Sequence, residues 1–126
     1  MGDRGNIVVK SGTEKAWLYS HWGGTDLPVI LRDALVRGKG RWDDAPYLAR
    51  IIFQQMIGKD DGITGYGISA SVSDNEHPIL VVDCGAQTVQ CFGRDDIEID
   101  SGGHAVKLDV YAAFTNEQAM SHGERR

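Results

Sequence analysis

The string His21-Trp22-Gly23-Gly24 brings together residue types that can do chemistry at a single turn. Histidine titrates near neutral pH and can act as a general base. Glycine lets a ligand approach the backbone, and the N-terminus of a following helix offers free N–H groups to an anionic or polar ligand. We therefore expect the ligand or partner to contact His21, Trp22, Gly23, Gly24, Thr25 and Asp26. The alternative is that the glycines only turn the chain, with Trp22 packed beneath the helix.

Two other polar groups have a chemical and a structural interpretation. Asp43 and Asp44 could share a proton or bind a metal, but acidic residues before a helix also cap it and complement its dipole. The loop from Asp74 to His77 contains several potential ligands without the spacing of a calcium loop or a zinc site, which favours a solvated turn. Whether Asp74 or Glu76 meets His21 in space stays open.

The two cysteines lie in a predicted hairpin whose register places Asp83 opposite Thr88 and Leu80 opposite Cys91. Cys84 then lies in the loop, so the cysteines do not face each other as a disulfide requires. We expect Cys91 to be a small core residue. A nucleophilic pair of Cys84 with His21 or His77 is disfavoured, because no helix N-terminus activates the thiol.

The chain contains no G-x-S-x-G elbow and no phosphate-binding glycine loop, so we assign no catalytic residue, metal or cofactor. A non-enzymatic module that binds a protein or a small polar ligand is favoured, and a homodimer is expected. One rival is a small enzyme using His21 with a carboxylate of Asp43, Asp44 or Asp74. Another is a nucleotide-sequestering protein, which would need a pocket lined by basic residues such as Arg4, Arg32, Arg41 or Arg50. A protein blocker would need an exposed apolar or acidic patch.

Composition and charge further limit the domain organisation, the partners and the cellular location that we expect. A chain of 126 residues with net charge −5 fits one domain over 1–126 and argues against a nucleic-acid partner, which needs a basic face. The opening residues lack the apolar run of a signal peptide, and no stretch is long and apolar enough to span a membrane. We therefore expect a cytoplasmic protein.

Two helices are predicted from apolar residues repeating at helical spacing. The first, over 26–37, carries its stripe from Leu27 to Leu35, has Pro28 in its first turn and ends at Gly38. The second, over 45–57, follows Asp43 or Asp44 as N-cap and contains Ile52 in its stripe. Glycine after the last periodic residue and proline in the first turn are typical helix boundaries.

Strands are predicted at Asn6–Lys10, Ala16–Trp22, Ile68–Val72, Ile79–Val82 and Val89–Phe92. The fold class is therefore α+β, an antiparallel sheet of about five strands in the order ββααβββ, with two helices packed on one face. Trp17 and Tyr19 would lie opposite Leu18, on a face that either carries helices or is an exposed aromatic surface.

The C-terminal third is less regular. Ile97–Ile99 is consistent with a short edge strand, and Leu108–Phe114 with a strand or with a helix capped by Asp109. We expect the residues after about 115 to be frayed.

Five strings, MGDRGNIVV, LYSHWGG, GRWDDAPYLARIIF, TGYGIS and NEHPILVVD, resemble small proteins common in actinobacteria and their phages. The resemblance extends over roughly residues 1 to 92 and implies no activity, cofactor or catalytic residue. A phage or prophage origin implies a role in host takeover or defence evasion. Such a role would be to sequester a signalling nucleotide or to block a host defence protein.

Overall fold

The computed structural model describes residues 2–95, 99 and 103–124. Within these ranges the strands are β1 Gly5–Ser11, β2 Glu14–Ser20, β3 Tyr66–Ser69, β4 Ile79–Asp83, β5 Thr88–Phe92 and β6 His104–Lys107. The α-helices are α1 Leu27–Arg37, α2 Ala45–Ile57, α3 Leu108–Ala112 and α4 Asn116–Gly123. Short 3-10 turns at Gly24–Asp26 and Lys39–Arg41 precede α1 and α2. No helix of the described ranges is long and apolar enough to cross a membrane.

The described strands form one mixed sheet in the order β3-β2-β1-β4-β5-β6. The α+β class is confirmed, but the antiparallel sheet of about five strands is wrong, because β1 pairs with β4 in parallel and β6 adds a sixth strand. β1 and β4 have the longest buried runs of the sheet. Strands buried on both faces belong in the middle, which places these two side by side.

Both predicted helices are confirmed at nearly the expected bounds. α1 has Pro28 in its first turn and Gly38 as its C-cap. At the start of α2 the Asp44 side chain accepts a hydrogen bond from the Tyr47 N–H, and Gly58 ends the helix. These positions agree with the ordinary chemistry of helix ends.

The helices pack on one face of the sheet, which we call the helix face. Its core joins sheet residues such as Ile7 and Leu18 to residues of all four helices, among them Leu31, Ile52 and Tyr111. The hydroxyl of the buried Tyr111 donates to the Pro28 carbonyl at 2.6 Å, which ties α3 to the start of α1. The prediction that the two long helices share one face is therefore confirmed.

The opposite side of the sheet, the second face, carries a smaller core of Val8, Trp17, Ile79, Val81, Phe92 and Ile99. The sequence predicted that the face with Trp17 either carries helices or is an exposed aromatic surface. The second face carries no helix from the described residues, and Trp17 is buried there, so neither alternative holds for Trp17. Tyr19 is partly buried on the same face.

Two boundary predictions need correction. β2 ends at Ser20, so His21 and Trp22 lie beyond the strand. β3 spans Tyr66–Ser69 and not Ile68–Val72 because its pairing with β2 runs from Tyr66 opposite Ser20 to Ser69 opposite Trp17. The hairpin register of β4 and β5 is confirmed, with Leu80 opposite Cys91.

The chain after residue 115 was expected to fray, but Asn116–Gly123 forms helix α4. Thr115 and Gln118 make a reciprocal capping box at its start, which satisfies backbone donors that would otherwise destabilise the first turn. Ala119 and His122 are buried. Leu108–Ala112 is a short helix, with Asp109 in its first turn and Lys107 as N-cap. Of the proposed strand Ile97–Ile99, only Ile99 lies within the described residues, and it is not in a strand.

Ile52 is fully buried in the core of the helix face. Ile52→Ala should lower the free energy of unfolding by about 2–5 kcal/mol, because it removes buried methyl groups and leaves a cavity. Urea unfolding followed by circular dichroism measures the change. Ile63→Ala, at a fully exposed position, is the control and should change stability by no more than about 0.5 kcal/mol. Equal effects of the two substitutions would contradict the assignment of this core.

Candidate functional site

The backbone N–H groups of the turn before α1 are already bonded within the protein. The Gly23 N–H donates to Ser20 Oγ at 3.0 Å. The Gly24 N–H donates to the Asp3 carbonyl at 2.7 Å, and the Thr25 N–H to the Asp3 carboxylate at 2.9 Å. The carboxylate of Asp3 therefore occupies the position at which an external anion was expected to bind.

Gly24 is required by packing in this turn. A Cβ atom there would lie 2.6 Å from His77 Cδ2 and 2.8 Å from the Asp3 carbonyl oxygen. Gly24 and Thr25 also line a cavity of about 120 Å³, whereas pockets for small molecules usually measure roughly 300–1,000 Å³. These contacts support the conformational explanation for Gly24.

His21 and Trp22 form an aromatic cluster with Tyr19. The Tyr19 hydroxyl lies 2.8 Å from His21 Nδ1, and the rings of His21 and Trp22 meet edge to face at 4.2 Å between centroids. Trp22 is 56% exposed and is not packed beneath the helix as one alternative predicted. Its indole instead lies against Gly65, where a Cβ would approach Nε1 to 2.8 Å.

The sequence patterns did not identify Asp3, which forms a hydrogen bond with His77 at 2.5 Å between Oδ1 and Nε2. Partial burial acts to raise the pKa of Asp3, but the hydrogen bonds from Thr25 and the contact with His77 lower it overall. The two residues are far apart in sequence, and no spacing rule connects them. Asp3 therefore joins the start of β1, the turn before α1 and the loop before β4.

The loop from Asp74 to His77 is held to the start of β1 by charged contacts. Arg4 binds Glu76 at 3.1 Å and Asp74 at 3.3 Å. The Arg4 backbone and side chain both donate to Glu76, which lowers the pKa of that carboxyl. Partial burial, together with the nearby Asp74, raises the pKa of Tyr19. Asp74 and Glu76 thus lie near the Tyr19–His21 pair, but their described ion pairs are with Arg4.

Asp43 and Asp44 lie near the first residues of β2, at the end of the strand opposite to His21. Both line an open cavity of about 650 Å³, together with Glu14 and Lys15 of β2. β2 contains seven residues, so its two ends are about 20 Å apart at ~3.3 Å per residue. His21, beyond the far end, cannot share a reaction with Asp43 or Asp44.

A second cavity, of about 350 Å³, continues from the first between α2 and the edge of the sheet. The two cavities share Ala16, Pro46 and Ala49. We call the combined feature the α2 groove. Its apolar part is lined by Ala16, Leu18, Pro46, Ala49, Arg50, Phe53, Gln54, Ile57 and Ile68, and its acidic part by Glu14, Asp43 and Asp44 together with Val9, Ser11, Lys15 and Ala45.

The arginines proposed for a nucleotide pocket do not meet in one place. Arg4 is bound by Glu76 and Asp74, and Arg41 lies over the Tyr47 ring. Arg32 contacts Asp33 and the Phe114 carbonyl. Arg50 lines the α2 groove.

Cys84 and Cys91 are both buried, and neither forms a disulfide. Burial, with the carboxylates of Asp83, Asp43 and Asp44 nearby, raises the pKa of Cys84 to about 11. Cys84 follows the C-terminal end of β4, whereas His77 precedes its N-terminal end. The pair of Cys84 with His77, which the sequence disfavoured, is therefore not formed.

No protein-family model, curated protein or solved structure matches the chain. Within the described ranges, no group of three or more histidine, cysteine, aspartate or glutamate side chains could hold a metal ion. The site must accordingly be interpreted from its own geometry.

Asp3→Ala should destabilise the fold by about 0.5–2 kcal/mol, the range for loss of a helix cap. The pKa of Asp3 is lower in the folded chain than in the unfolded chain. Its ionised form therefore stabilises the fold above pH ~4, and this contribution disappears as the pH falls through the folded pKa. Urea unfolding from neutral to acidic pH should show the wild-type and variant curves converging in acid. A difference independent of pH would contradict the role of the charge.

The Cys84 thiol should react slowly with iodoacetamide at pH ~8, because the thiolate is the reactive form and burial suppresses it. Mass spectrometry of Cys91→Ser protein, in which Cys84 is the remaining cysteine, measures the rate. The same protein in urea is the control and should react much faster. Rapid alkylation of the folded protein would show that the thiol is exposed or activated.

Proposed function

We propose that this protein is a non-enzymatic interaction module that binds a segment of a partner protein in the α2 groove. The observation that carries the proposal is the continuity of an apolar cavity with an acidic one along a single helix. This surface, and not the turn from His21 to Asp26, has cavities of the size that binding sites need.

The apolar part suits an aliphatic or aromatic side chain of the partner. Leu18 of β2, Phe53 and Ile57 of α2, and Ile68 of β3 line it. Ile68 is 65% exposed, and exposed apolar residues that line a groove are typical of binding surfaces. Burial of one large apolar side chain contributes about 1.5–3 kcal/mol.

The acidic part suits a basic side chain next to the apolar one. Glu14, Asp43 and Asp44 carry three carboxylates there, against the amine of Lys15 and the guanidinium of Arg41, which lies 3.9 Å from the Asp44 carboxylate. The net charge of −5 also favours the approach of a basic partner. The expected partner segment thus contains an apolar anchor flanked by lysine or arginine.

The rival functions have less support. Sequestration of a nucleotide needs converging basic side chains, whereas three of the four candidate arginines are engaged in separate contacts elsewhere. An enzyme using His21 with Asp43 or Asp44 is opposed by the length of β2 between them. The resemblance to phage proteins implied either sequestration of a nucleotide or the blocking of a host defence protein. Of these two roles, an apolar and acidic groove supports the second.

The test is selection of random linear peptides displayed on phage against the immobilised protein. Selected peptides should contain an apolar residue near lysine or arginine, and synthetic copies should bind in solution. Ala49→Arg places a bulky cation where the two cavities meet and should weaken peptide binding at least about tenfold, the effect of losing ~1.4 kcal/mol.

Val36→Arg is the matched control, because Val36 is an exposed aliphatic residue of α1 and should leave the affinity unchanged. Circular dichroism checks that both variants fold. Peptides that bind Ala49→Arg as well as the wild type, or selected sequences rich in acidic residues, would contradict the proposal.

A further inference from the structure

β3 is an edge strand, and its exposed edge carries no charge. Among the described residues no strand lies beside its outer side. Residues 62–73, which include β3 and its flanks, contain no aspartate, glutamate, lysine, arginine or histidine, although charged residues make up 25% of the chain. Soluble proteins usually protect such edges with charges or proline. The opposite edge strand, β6, contains His104 and Lys107.

The hydrogen bonds of the sheet determine which backbone groups of β3 are free to pair outward. The His21 N–H donates to the Gly65 carbonyl at 2.8 Å, directly continuing the register of β2 and β3. Opposed residues of an antiparallel pair alternate between bonded and non-bonded positions. The N–H and C=O groups of Gly67 therefore point towards β2, and those of Tyr66 and Ile68 point away from the sheet.

We propose that two copies of this chain form a homodimer by antiparallel pairing of their β3 strands about a two-fold axis at Gly67. In this register Tyr66 of one copy is opposite Ile68 of the other, and both residues exchange N–H···O=C bonds. Two such pairs give four backbone hydrogen bonds. Gly67 meets its symmetry mate at a non-bonded position, where the backbones approach most closely.

The side chains fit the same register. Ile68 lies on the helix face opposite Leu18, and Tyr66, two residues away, shares that face. Each Ile68 would therefore pack on the Tyr66 ring of the other copy, and aromatic–aliphatic cross-strand pairs stabilise sheets. Gly67 lies on the second face, where a Cβ would have nothing within 4 Å.

A second copy is favoured over an unrelated strand because the edge is complementary to itself. Its outward-facing residues are placed symmetrically about a glycine, as an isologous interface requires. Two chains of net charge −5 repel each other, and an uncharged edge is where they can meet at the lowest electrostatic cost. Pairing extends the sheet in its own plane and places the Tyr66 ring of the other copy against Ile68, at the β3 side of each α2 groove.

Sedimentation velocity over about 1 μM to about 1 mM, the range in which weak complexes dissociate, tests the inference. The weight-average mass of the wild type should rise from 13.8 kDa towards twice that value. Gly67→Asp should stay monomeric because it places two carboxylates at the axis. Gly40→Asp is the matched control, since Gly40 also has open space around its Cβ position, and it should dimerise like the wild type.

Charge complementation makes the test specific. Gly67→Lys should also be monomeric alone, but an equimolar mixture with Gly67→Asp should associate, because opposite charges then meet at the axis. A wild type that is monomeric at the highest concentration would overturn the dimer. So would dimerisation that both charged variants retain, or a mixture that does not associate. Ala49→Arg, which alters the α2 groove but lies outside β3, should dimerise like the wild type, which separates this inference from the proposed function.

Discussion

β1 and β4 lie side by side at the centre of the sheet, in parallel, with their apolar side chains buried on both faces. Strands that are buried on both faces need neighbouring strands on both sides. β2 therefore lies outside β1, and β3 lies outside β2 as the edge strand. α1 and α2 pack over the core that these central strands create. α2 leaves Ile68 of β3 exposed, and the apolar part of the α2 groove lies between α2 and this strand. The apolar part of the groove and the free edge therefore arise from one packing constraint.

The Asp3 carboxylate shows why a helix start beside glycines is not by itself a ligand site. A helix N-terminus favours negative charge, and here an aspartate from the start of β1 supplies it, bonded to the Thr25 N–H and to His77. The same residues that could hold an anion instead hold three segments of the chain together. The residues that stay exposed at this turn are Trp22, Thr25 and Asp26.

The elements that depend on local sequence could be predicted, whereas features set by contacts distant in sequence could not. The stripe containing Ile52 and the caps at Gly38 and Asp44 fix α1 and α2, because periodicity and helix-end chemistry are local. The register of β4 and β5 follows from a short hairpin. The parallel pairing of β1 with β4, separated by most of the chain, has no local pattern. Asp3 and His77 likewise meet only in the folded protein, so the occupied helix start could not be anticipated.

The claim that the α2 groove is the binding site is tested most directly by nuclear magnetic resonance. A peptide selected from the displayed library is titrated into ¹⁵N-labelled protein, and the amide resonances that move are mapped onto the sequence. The account predicts the largest shifts at Ala16, Ala49, Phe53 and Ile68, with the turn before α1 unaffected. Shifts centred on Trp22, Gly23 and Thr25, with the groove residues unchanged, would contradict it and return the binding site to that turn.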